Sequence, residues 1–112
     1  MSLEILNMGE VVVIRPVGRL DAANAPDFDT AAGKALAGAS CKVLVDLGSL
    51  EYISSAGLRC MLLLAKKVKS NSGSLMLCGL SGMVANVFEV SGFTPMFQIA
   101  DDADKAVAVL AG

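Results

Sequence analysis

Apolar positions along this chain recur with two different periods, and the switches between them mark out its elements. Residues 3–8 and 11–17 are short β-rich runs parted only by Gly9-Glu10, so an antiparallel hairpin is expected, with Gly18 ending its second strand. Asn24, Pro26 and Asp27 then supply helix-start chemistry: a capping Asn, proline in the first turn and an acid three residues after the cap. That helix is expected to reach about residue 36 and to close at Gly38. Residues 42–47 are almost wholly apolar, as in a central strand covered on at least one face by helices. Between residues 55 and 69 the period lengthens, with Leu58, Met61, Leu62, Ala65 and Val68 at helical spacing. Lys66, Lys67 and Lys69 gather in the last turns, where the helix dipole favours cations, and Gly73 is the natural stop.

A strand over residues 75–78, a helix from 81 or 82 to 90 and a short strand near 96–99 should follow. A last helix, opened by Asp101-Asp102, carries Ala103, Ala106, Val107 and Leu110 on one side. The expected order is ββαβαβαβα, with crossovers that suit parallel pairing after the first hairpin. This is a single-domain α/β fold, a mixed β-sheet packed with α-helices over residues 1–112. The length of 112 residues suits one domain that buries its own core.

Composition narrows the function. Hydrophobic residues make up 54% of the chain and mean hydropathy is +0.64, yet no apolar run approaches the roughly 18 residues of a membrane span. The N-terminus has no basic, apolar leader pattern, so a cytoplasmic location without membrane insertion is expected. Histidine is absent, which removes Ser-His and Cys-His nucleophile pairs and most mixed Cys/His zinc sites. No catalytic residue, metal site or cofactor is therefore expected, and the chain reads as a binding protein. Net charge is −2, with one Tyr and four Phe to stack on bases, which disfavours direct nucleic-acid binding. Cys41, Cys60 and Cys78 lie in apolar segments without C-x-x-C spacing and read as buried free thiols.

The chemistry concentrates in residues 46–58, where an apolar strand runs through a short turn into Ser54-Ser55-Ala56-Gly57-Leu58 and a helix. A hydroxyl at a helix start sits among unpaired backbone N–H groups at the positive end of the dipole, a setting that accepts an added dianion. Taken alone, Ser55 reads first as a helix cap, worth ~1 kcal/mol relative to Ala, and second as a phosphorylation switch.

Four patterns together resemble the STAS domain, within it the stand-alone bacterial anti-sigma factor antagonists, across essentially the whole chain. They are Gly18-Arg19-Leu20-Asp21 with Ala22 to Ala25, the strand Val43-Leu44-Val45-Asp46-Leu47, Tyr52-Ile53-Ser54-Ser55-Ala56-Gly57-Leu58, and Ser91-Gly92-Phe93 followed by Phe97. The third is the most specific. The resemblance implies an anti-sigma factor antagonist, not an enzyme, whose partners are an anti-sigma factor serine kinase of the histidine-kinase ATPase fold and a serine phosphatase. In that family the serine before the small residue and glycine is phosphorylated, which falls on Ser55. The unmodified form binds the kinase and frees the sigma factor. Many members carry Asp where this chain has Ser54. The alternative within the same fold is a non-phosphorylated subunit docked on the ATPase of a lipid ABC transporter.

With that context the switch becomes the preferred reading of Ser55, and Ser54 the cap that reaches Ala56 or Gly57. The expected partner-binding set is Asp21, Ser54, Ser55, Ala56, Gly57 and Arg59. Each has a plainer role beside it. Gly57 suits close packing at the helix start, and Asp21 reads equally as a partner contact and as the acceptor of an Asx-type turn. Asp46 is expected to brace the loop before the serines through backbone N–H groups. Arg59 is by default a solvated charge, and otherwise a partner for phosphate or an acidic surface. Met83, Phe93, Met96 and Phe97 read mainly as core.

Overall fold

A computed structural model of the protein describes residues 2–36 and 42–112. The expected helix stop at Gly38 and the thiol of Cys41 lie outside the described residues. β1 (Ser2–Met8) and β2 (Val11–Leu20) form the hairpin, in register from Ser2 opposite Val17 to Met8 opposite Val11. Then follow α1 (Ala25–Leu36), β3 (Lys42–Asp46), β4 (Leu50–Ile53), α2 (Ser55–Ser70), β5 (Ser74–Cys78), α3 (Gly82–Val90), β6 (Gln98–Ala100) and α4 (Ala103–Ala111). A single 3-10 turn, Thr94–Met96, precedes β6.

The sheet runs β1-β2-β3-β5-β6, parallel after the hairpin, with β4 beside β2 off this path. Two expectations need correction. Gly18 does not end the second strand, and a sixth strand, β4, stands where only a turn was expected. Both follow from the length of β2, whose residues 11–14 pair with β3 and whose residues 18–20 pair with β4. Between the two partners Pro16 meets no residue on that side, so its missing N–H breaks no ladder there. The register then shifts at Gly18, whose φ of +93° makes it a bulge that turns the strand toward its second partner.

Two apolar layers cover the sheet. Val12, Ile14, Val43, Val45 and Leu77 pack on one face with Phe28 of α1, Met61 and Leu64 of α2, and Val84 and Phe88 of α3. Val11, Val13, Leu44, Met76 and Cys78 pack on the other beneath Ala106 and Leu110 of α4. Strict alternation along β2 and β3 feeds the two layers from neighbouring residues. Along α2 the buried stripe is Gly57, Leu58, Cys60, Met61, Leu64 and Val68, so Leu64 takes the place expected of Leu62. Phe97 and Phe93 lean on the core, with Phe97 edge-on to Phe88 at a centroid distance of 5.8 Å, whereas Met83 and Met96 are exposed.

Candidate functional site

The start of α2 is held against the ends of β2 and β4. Leu20 pairs in parallel with Ile53, and the next residue, Ser54, donates its backbone N–H to the Leu20 carbonyl at 3.0 Å. Ser54 keeps an extended backbone at the N-cap position, and its Oγ accepts the N–H of Gly57 at 3.2 Å. One orphan donor of the first turn is thereby satisfied. Gly57 is buried against the strand ends. A Cβ there would stand 2.7 Å from Ile53 Cγ1 and 2.8 Å from the Leu20 carbonyl oxygen. Only a residue without a side chain lets the helix start this close to the sheet.

Ser55 is the first helical residue and is exposed, and its hydroxyl makes no hydrogen bond to a described residue. The first turn of α2 carries no acid. Ala56 is half-buried beside it, and Arg59, exposed, follows one turn later. The two serines thus divide the work of the helix start, one bound to the backbone and the other open to solvent.

Asp21 lies on the same rim, directly after Leu20. Its Oδ1 accepts the N–H of Ala23 at 3.0 Å, an Asx turn, while its own N–H donates to Asn24 Oδ1 at 2.9 Å. Asn24 precedes α1 as expected, but its side chain faces backward and donates through Nδ2 to the Arg19 carbonyl at 2.8 Å. It braces the Asp21 loop. Sequence reasoning also missed Arg19, whose guanidinium stacks over the Tyr52 ring at 4.1 Å across the β2–β4 pair. Arg19 sits inside a motif singled out in the sequence, but its aromatic partner is 33 positions away and no local pattern joins them.

Asp46 braces the loop that leads to the serines. Its Oδ1 accepts the Gly48 N–H at 3.0 Å, and its Oδ2 accepts from Arg15 Nε at 3.0 Å; Arg15 also reaches Glu4. The hydrogen bond that Arg15 donates to Asp46 is the main reason the Arg15 pKa lies above its ordinary value. Burial pushes the Cys78 thiol up to about 12, with Asp46 adding to the effect, and burial followed by Asp29 pushes Cys60 up to about 11. Both are buried, free thiols rather than reactive ones.

A parallel core with an antiparallel leading hairpin thus carries, at its strand ends, a capped serine pair that opens a helix. The chain belongs to the STAS domain family, whose model matches residues 2–106. It is 41% identical over 91 residues to BtrV of Bordetella bronchiseptica, which is named as an anti-sigma factor antagonist; the match spans 81% of this chain and 78% of that protein. The fold superimposes on TM1081 of Thermotoga maritima with a TM-score of 0.91 at 21% identity, covering 98% of this chain and 95% of that one. It also superimposes on phosphorylated SpoIIAA of Bacillus with a TM-score of 0.74 at 23% identity, covering 96% and 98%. No helix among the described residues is long and apolar enough to cross a membrane.

Proposed function

We propose that this protein is an anti-sigma factor antagonist that binds an anti-sigma factor serine kinase when unmodified, releasing the sigma factor, and is switched off by phosphorylation of Ser55. The observation that carries the reading is the division between the serines: Ser54 Oγ is spent on the Gly57 N–H, whereas the Ser55 hydroxyl is exposed and makes no hydrogen bond to a described residue. The name of BtrV and the phosphorylated state named for SpoIIAA point the same way. In the modification the Ser55 oxygen attacks the γ-phosphorus of ATP held by the kinase. The new O–P bond forms as the bond to ADP breaks, and the serine proton is lost.

The contact surface on this reading is Asp21, Ser54, Ser55, Ala56 and Arg59; Gly57, expected to belong to it, is buried against Ile53 and Leu20 and sets the helix start beneath that surface instead. A phosphoserine adds about −1.5 to −2 charge, which the helix start accepts but a docked, desolvated partner surface does not. Every ~1.4 kcal/mol lost weakens binding tenfold, so one dianion separates the bound and free states. A serine phosphatase would reset the switch by hydrolysis. The test is affinity capture from the native cell with the unmodified protein, followed by incubation of the captured kinase with ATP and mass-spectrometric site mapping. Phosphate on Ser55 is the expected result. Phosphate on Ser54, undiminished labelling of Ser55→Ala, or capture of transporter components alone overturns the proposal.

A further inference from the structure

Resting on that reading of Ser55, we infer that Arg59 is the counter-ion of the phosphorylated state, folding back along α2 to clamp the phosphate on Ser55. Ser55 is already the first residue with helical geometry, not a cap outside the helix, so the spacing of four to Arg59 places both on one exposed face of α2. Side chains on a helix lean toward its N-terminus, so the long arginine is directed over the turn that holds Ser55.

Arg59 is also available. The four ion pairs among the described residues join Arg15 to Glu4 and Asp46, Lys42 to Glu10, and Lys105 to Asp101, so Arg59 has no carboxylate within that reach. No acid occupies the first turn of α2, and the phosphate would be the first negative charge there. An anion placed four residues before a cation is the favourable order along a helix. A planar guanidinium matches two phosphate oxygens where a lysine would offer one point charge. Charged residues on the elements packed against α2 are Asp27, Asp29 and Lys34 of α1 and Glu51 of β4, with Arg19 and Asp21 at the adjoining end of β2. Of the two cations among them, Arg19 is held over Tyr52, and Lys34 lies in the last turn of α1, away from the start of that helix.

The test places phosphoserine at position 55 by genetic encoding, so it needs no kinase and stands apart from whether the cell modifies Ser55. The phosphorus resonance is then followed by NMR against pH in the full-length protein and in Arg59→Gln and Arg59→Lys. The clamp stabilises the dianion, so the second phosphate pKa of the parent should lie about half a unit below that of Arg59→Gln, with Arg59→Lys between them. Equal midpoints in the parent and in Arg59→Gln would overturn the clamp. Site mapping with the kinase, by contrast, bears only on Ser55 as the acceptor.

Discussion

Ser54 Oγ accepts the backbone N–H of Gly57 at 3.2 Å, a bond that spans three residues and closes the first turn of α2. It frees the neighbouring hydroxyl of Ser55 from any structural duty, and the two serines should therefore fail differently. Ser54→Ala should lower unfolding free energy in urea by ~1 kcal/mol, the usual worth of an N-cap. Ser55→Ala should stay within about 0.5 kcal/mol of the parent, as exposed substitutions do.

Gly57→Ala should be the more damaging change. Its methyl would meet the Leu20 carbonyl at 2.8 Å, and a backbone oxygen fixed in a strand cannot swing aside as a side chain can. A loss of about 1–3 kcal/mol is expected, from overpacking. Thermal unfolding followed by circular dichroism would read it, and a melting temperature equal to the parent's would contradict the close approach.

The Asp46 carboxylate joins three segments, since it accepts from both Gly48 and Arg15 while Arg15 continues to Glu4 of the edge strand. Asp46→Ala leaves Arg15 partly buried without its main partner and the β3–β4 turn without its clasp. A destabilisation of about 1–3 kcal/mol is expected. Glu4→Gln, at an exposed 3.4 Å contact, should change stability by less than about 1 kcal/mol.

Ser55→Asp should weaken capture of the kinase partner, though less than phosphorylation does, because a carboxylate carries about half the charge of a phosphate. Titration calorimetry with the purified partner would order the three forms. Unchanged affinity for both charged forms would contradict a switch at this position.

The buried thiols tie stability to alkaline pH. Cys60 and Cys78 hold their protons to about 11 and about 12, above the ordinary value of 9.0, so the folded state keeps protons that the unfolded chain releases. Their stabilising effect is intact below pH 9 and is lost as pH rises toward 11–12. Replacing Cys60 with Ala should flatten the fall in stability between pH 8.5 and 10.5, measured against the parent. In the native protein at pH 8, both thiols should react with a disulfide reagent far more slowly than in denaturant. Denatured, non-reduced protein should titrate all three of its cysteines.

Interactions closed within a turn or two of chain were legible before any coordinates. The Gly9-Glu10 hairpin, the apolar strand before Asp46 and the serine pair opening α2 are of this kind, because capping and alternation act over two to four residues. Even the choice of Ser54 over Ser55 as the cap follows from the reach of one side chain. What depended on residues tens of positions apart was not legible. β4 pairs as a strand because β2 outruns β3 and offers its edge to Leu50–Ile53; a run of four residues is too short to declare a strand without that partner. Gly18 marks a bulge rather than an end for the same reason. The run from Cys60 to Ala65 is apolar all round, so its periodicity could not choose Leu64 over Leu62, and the packing of α1 and the sheet decided it. Stacking of Arg19 on Tyr52 likewise arises where separate segments meet, whereas the backward turn of Asn24 onto Asp21 spans only three residues and is masked in the sequence by the capping pattern that Asn24 shares. A sequence specifies local hydrogen bonds directly, but side chains from distant segments become neighbours only when the sheet is assembled.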